Sequence, residues 1–508
     1  MKIKKLLVIA LSILALGAIT ILLFANNWAE KALNEQISSI SGIKYDSLDI
    51  NIADKEITLY NTSINIPTVS ASIDRISADG LSIYQIIAND KISLSTLNLE
   101  GVSLEYKPGN ENAIESKSKM PDFIIDRLEL NKGNAIITTP KNNQAAFKFD
   151  IGISNIDKDD LKNSMLIANK IEFAEIRDLI YTTSNHYYNA GARLIQLEKN
   201  IIGLDSVYVK SNFEKYELGR HVGHEIDWYD FQSDSILISV KNMEQLINQH
   251  EAEAVVIHNP TFIAFRDKRL PFPEGKRGKL LKEILANSKY SFGIDLLEIK
   301  GGKATYQEYV KSGDGPGEVT FEQFNATFEN LYTYDKQFDK QPRLKARTLL
   351  YGKSTLFADI SFPLRKSQPT FVTGVLHAMD LRHFNHMLKY VAFTELEEGT
   401  LDSLTFNFSY TSNTSEGQMH FGYKDLKIDF LNKHDAKTGG FLNELKGFVA
   451  NTFVVRRNNP ETHGKFRVGE ISAQRKVEKS MFNFWWQSIL SGFRSSTGVQ
   501  PAEEKINR

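Results

Sequence analysis

The chain has 508 residues, 42% of them hydrophobic and 24% charged, which is the composition of a folded protein large enough for several domains. Its 61 basic and 62 acidic side chains nearly cancel, so no global field gathers nucleic acid or an acidic substrate, and a nucleic-acid partner is not expected. The absence of cysteine excludes thiolate nucleophiles, cysteine-ligated metals, disulfides and a lipid-modified cysteine, leaving burial and backbone pairing to supply stability.

The first element in chain order is Leu6 to Ala25, twenty residues without a charge, thirteen of them Leu, Ile, Val or Phe. As a helix this segment reaches about 30 Å, the thickness of a bilayer core. Lys2, Lys4 and Lys5 precede it, so the positive-inside rule places the start in the cytoplasm and everything after Asn26 on the far side, with Trp28 at the outer headgroup level. The apolar run is longer than the core of a cleavable signal peptide, and its small-residue positions fit cleavage poorly. We expect a single uncleaved anchor over 6–25.

From Ile50 onward the dominant period is two, as in Phe147, Phe149, Ile151 and Ile153, which predicts strands with one dry face. The parity of apolar positions switches across Gly101, predicting a bulge or kink. Short helical patterns occur around Met243 to His250, Leu280 to Ala286 and Leu381 to Val391. Leu404 to Tyr410 and Met419 to Tyr423 read as a hairpin turning through Asn413 to Gly417. An internal repeat underlies the pattern, because FIIDRLELNKGNAII at 123–137 matches FGIDLLEIKGGKATY at 292–306 without a gap. Its unit is about 170 residues, and its glycine step reads as a turn between two paired strands. The chain therefore divides into an anchor at 6–25, β-rich units at 33–170 and 171–340, a further β region with an aromatic helix at 341–495, and a tail at 496–508. One face of the repeat strands nominates Leu128, Leu130, Leu297 and Ile299 as lining residues, and the reversed parity stands equally open.

Motifs that could carry chemistry are sparse. His221, His224, Glu225, Asp227 and Asp230 supply metal-type donors without the spacing of a zinc hydrolase, and a polar loop explains them better. His383 and His386 read as a solvated helix face. Gly301, Gly302 and Lys303 lack the rest of a phosphate loop and read as a hairpin turn. The stretch 265–279 is locally basic; it reads as a solvated loop or, through Arg266, Lys268 and Arg269, as a contact for lipid headgroups. Near the other end, Phe482, Trp485, Trp486, Ile489, Leu490 and Phe493 form one helical stripe, on which Trp485 and Trp486 are either interfacial anchors or part of a helix that plugs the sheet. No catalytic residue, metal or cofactor is expected.

The stretches SGIKYDSLDINIADKEITLYNTSI and ISADGLSIYQIIANDKISLSTLNLEGVSLEY, following the apolar segment, resemble the start of AsmA-like proteins. EEGTLDSLTFNFSY, GQMHFGYKDLKIDFLNK and FNFWWQSILSGF are similar to the AsmA-like C-terminal region of uncharacterised Bacteroidota envelope proteins. The resemblance covers about a third of the chain. It implies a mainly β fold in which an N-terminal transmembrane helix is followed by an elongated, curled antiparallel β-sheet, a β-groove, with a few short helices. It also implies a bacterial inner-membrane protein with its bulk in the periplasm, non-enzymatic, binding or transferring phospholipid or another envelope lipid and supporting the outer membrane, with envelope proteins as further partners. The competing expectation is an assembly scaffold whose dry face is buried against itself in a β-sandwich.

Overall fold

The computed structural model describes residues 43–51, 56–66, 68–82, 91–108, 122–160, 164–289, 291–333, 341–365, 367–431 and 455–498. The expected anchor at 6–25 lies outside them, and among the described residues no helix is long and apolar enough to cross a membrane. The described chain is mainly β and forms two compact units, 1–208 with 237–249, and 209–236 with 250–508.

In the first unit, β1 (Ile43–Lys44) and β2 (Ser47–Asn51) both pair with β3 (Glu56–Ile66), which pairs with β4 (Val69–Asp79). Next, β5 (Lys91–Glu100) and β6 (Ser103–Tyr106) lie antiparallel to β4 and parallel to β7 (Asp122–Thr138). Antiparallel neighbours β8 (Gln144–Asp157), β9 (Ile171–Thr182) and β10 (Tyr188–Glu198) continue the sheet, and β11 (Ile201–Ser211) follows in sequence. The break between β5 and β6 is the expected kink: Gly101 has φ +69°, a left-handed backbone that glycine adopts at least cost. Helix α1 (Ser164–Asn169) joins β8 to β9.

The second unit repeats the scheme. Helix α2 (Glu217–Val222) leads into β12 (Asp227–Ser239), whose first residues pair antiparallel with β14 (Thr261–Asp267). A π-helix, Gln245–Gln249, belongs to the first unit and precedes β13 (Glu251–His258). Both β13 and β14 lie parallel to β15 (Gly293–Tyr309), which helix α3 (Leu281–Ala286) precedes. From β15 the sheet runs antiparallel through β16 (Gly317–Tyr332), β17 (Arg343–Leu350), β18 (Ser354–Ser361) and β19 (Thr370–Leu376). After β20 (Met379–Asp380), a 3-10 turn, Leu381–Phe384, and helix α4 (Asn385–Val391), it continues through β21 (Thr394–Tyr410), β22 (Thr414–Phe430) and β23 (Val468–Gln474). Helix α5 (Met481–Ser496) closes the described chain.

Three expectations are corrected. The sheet is mixed and not purely antiparallel, because each kinked pair of strands runs parallel to its long repeat strand. The glycine step of the repeat, including Gly301 and Gly302, is a bulge within one continuous 17-residue strand and not a turn. In both copies the left-handed bulge residue, Lys132 or Gly301, has its N–H bound by a side chain of the next strand, Asp150 Oδ1 at 2.6 Å or Asn325 Oδ1 at 3.0 Å. That bond satisfies the donor the ladder leaves unpaired, so the chain can continue where sequence punctuation reads as a stop. Third, the hairpin between β21 and β22 turns at Thr411 to Asn413, and Gly417 lies within β22 opposite Phe408.

Candidate functional site

Each unit has its own apolar core, and the proposed lining residues meet it differently. Leu128 is 1% exposed within a core that includes Leu97, Phe123 and Ile125, and Leu130 is partly buried against it. Leu297 packs, partly buried, against the second core, which gathers Phe328, Ile360, Val372 and Phe408. Ile299 lines a concavity of 720 Å³ in the second unit, to which the other three do not contribute.

That concavity follows from strand register. Ile299, Ala326, Ala346, Ala358, Gly374 and Phe406 are successive partners across β15, β16, β17, β18, β19 and β21. Side chains two apart along a strand share a face, so the rows beside this one on the same face are Leu297, Phe328, Leu344, Ile360, Val372 and Phe408, and Thr348, Leu356, Leu376 and Leu404. One row of methyl groups and a bare glycine between rows of large side chains leaves a trough across the strands. The row and the residue on either side of it in β15 to β19 line the concavity, Glu298, Lys300, Lys345, Arg347 and Asp359 among them, and β21 contributes Phe406. At one end the Phe406 ring fills the space a Cβ on Gly374 would need, 2.1 Å away, so this glycine exists for a close approach.

The corresponding strands of the first unit carry a different row. Leu99 pairs with Leu130 as Ile257 pairs with Ile299, but the next partner is Ile151 in the first unit and Ala326 in the second. The copies therefore diverge where the trough begins.

The basic stretch is not a bare cationic patch. Arg266 sits bidentate on Asp227, with Nε to Oδ1 at 2.6 Å; Lys268 reaches Glu308 at 2.6 Å; Arg269 holds Asp267 at 2.8 and 2.7 Å and lies 3.8 Å from the Tyr309 ring centre. These three candidates are committed to internal partners; Asp267 lies two residues from Arg269 in sequence, whereas Asp227 and Glu308 lie about forty residues from Arg266 and Lys268.

Helix α5 packs on β22 and β23. Its buried stripe is Phe484, Ser488, Gly492 and Ser496, with Ser488 bonded to Ser415 at 2.7 Å and Gly492 seated against Ile471 and Met419. Trp485 lies partly buried beside Tyr410, Trp486 is partly buried, and Phe482 at the helix start is 69% exposed. The small residues that carry the packing are invisible to a search for large apolar side chains.

No three potential metal ligands converge among the described residues. His221 stacks on Phe213, His224 Nδ1 lies 3.1 Å from the Glu225 carbonyl, and Asp227 is bound to Arg266. His386 packs against Tyr351. No family model matches the chain, and no curated protein is significantly similar to it.

Proposed function

We propose that this protein is a non-catalytic, membrane-anchored lipid binder of the bacterial envelope, with its bulk in the periplasm, and that the trough of the second unit seats an acyl chain. The observation that carries the reading is the row of Ala326, Ala346, Ala358 and Gly374 between rows of large apolar side chains. Six strands at about 4.8 Å spacing make this row roughly 24 Å long, more than the roughly 15 Å of one leaflet's hydrocarbon. Its volume falls in the usual range of small-molecule sites, about 300 to 1,000 Å³. The repeated bulges supply the bend that a curled sheet needs. The anchor at 6–25 would hold the trough near its source of lipid.

Native mass spectrometry with lipid extraction, on full-length protein taken up in mild detergent, tests this. Wild type should carry stoichiometric phospholipid, and Ala346→Phe, which fills the trough, should lose at least tenfold occupancy. Leu297→Glu beside it should do the same if it stays folded. A lipid-free wild type would sink the proposal in favour of an assembly scaffold, the reading supported by the closely buried face around Leu128.

A further inference from the structure

Beside the paired cations of the second unit lie two lysines that form no salt bridge with a carboxylate among the described residues. Lys276 lies in the loop before helix α3, and Lys479 lies just before helix α5. Both ammonium groups converge on one ring: Lys479 Nζ is 4.0 Å and Lys276 Nζ is 6.0 Å from the centre of Phe272. The two segments are locked together. Gly278 N–H donates to the Val477 carbonyl at 2.9 Å, Arg475 Nη2 donates to the Gly278 carbonyl at 2.6 Å, and a Cβ on Gly278 would fall 1.8 Å from the Lys479 oxygen.

The neighbouring cations are already paired, while Glu225 and Glu478 both lie within electrostatic reach of Lys479. Arg266 with Asp227, and Lys268 with Glu308, are balanced pairs, and Tyr306 adds a hydrogen bond to Glu308 at 2.6 Å. Glu225 faces the same cluster with the residue 7% exposed and its Oε2 without a hydrogen-bond partner. Burial pushes the Glu225 carboxyl up, against the pull of Lys479, Lys268 and Arg266, which weakens it as a counter-ion. Burial also pushes both lysines down, joined by the charge of Arg266 at Lys276 and of Lys268 at Lys479, against the opposing pull of Asp227 and Glu225 at Lys276 and of Glu225 and Glu478 at Lys479. Two half-buried ammonium groups on pinned backbones are preorganised for an anion, and Oε2 offers an acceptor to a protonated oxygen on it.

We infer that Lys276, Lys479 and Glu225 form a site for a phosphate group, with the lysines on its anionic oxygens and Glu225 taking a hydrogen bond from a P–OH or neighbouring hydroxyl. The site is separate from the trough and stands whether or not the trough holds lipid. Isothermal titration of inorganic phosphate into full-length protein in neutral detergent at low salt should give one saturable phase. Lys276→Gln and Lys479→Gln should each weaken it at least tenfold, whereas Lys289→Gln, at an exposed position beyond helix α3, should not change it. On wild type alone, saturating phosphate should protect Lys276 and Lys479 from acetylation, read by peptide mass spectrometry, so the test survives a variant that fails to fold. No saturable heat, or unprotected lysines, overturns the site. Glycerol 3-phosphate and a monomeric short-chain phosphatidic acid separate the sources: at least tenfold tighter binding of the latter identifies a lipid headgroup, and equal binding identifies a soluble phosphate compound.

Discussion

Arg475, the residue after β23, has a side chain with no exposed surface and joins segments nearly two hundred positions apart. Its guanidinium binds both Glu283 oxygens at 3.1 Å and the carbonyls of Ser412 and Gly278. Breaking such a pair leaves a buried charge uncompensated, so Glu283→Ala should cost about 3 kcal/mol, read by urea denaturation. Burial pushes the Glu283 carboxyl up, but Arg475 and the Leu280 N–H outweigh it and hold it below the ordinary range. A native carboxyl with a depressed pKa stabilises the fold above its unfolded value and loses that contribution as pH falls through the folded one. Wild-type stability should therefore fall on acidification below about pH 4.3, the unfolded glutamate value, and the Glu283→Ala deficit should shrink in parallel. An unchanged deficit at acid pH would contradict the ion pair. The partners of Arg475 lie 63 to 197 positions away, so nothing in the local sequence singles it out.

At the scale of elements, helix α5 does more than cover a face. Ser495 Oγ accepts from the Glu470 N–H and Ser491 Oγ accepts from the Ser472 N–H, both at 2.9 Å, so hydroxyls occupy donors along the edge strand β23. An open edge invites strand addition by another chain. Ser491→Ala with Ser495→Ala should cost about 1 to 3 kcal/mol per exposed donor if water does not replace the hydroxyl. It should also promote self-association, measured by light scattering behind size exclusion; a double variant that stays monomeric and fully stable would remove this role. The helix itself is legible from its apolar spacing, and the burial stripe is not, because Gly492 and the serines acquire meaning only against Gly469, Ile471 and Met419.

At the scale of the molecule, the repeat explains why two units share one strand plan, and the exchange of Ile151 for Ala326 marks where the copies part. Both copies keep the kinked pair, the parallel crossing and the bulge capped by a neighbour's side chain. The anchor expectation belongs to this scale too. Protease added outside spheroplasts should digest the chain beyond Asn26 in intact cells with a disrupted outer membrane, and alkaline washing should leave it in the membrane pellet; protection from protease would reverse the orientation.

What the sequence by itself determined is the local grammar: alternation of apolar side chains, the kink at Gly101, the brief helices and the correspondence between copies. These depend on neighbours within a few residues, where backbone sterics and side-chain period act directly. Tertiary structure alone decided the parallel crossings, the ion pairs and the trough. Ala326, Ala346, Ala358 and Gly374 come from four strands, and a one-residue slip in any pairing would turn a side chain to the opposite face. Register, set by the packing of the whole sheet, is what gathers them into one row.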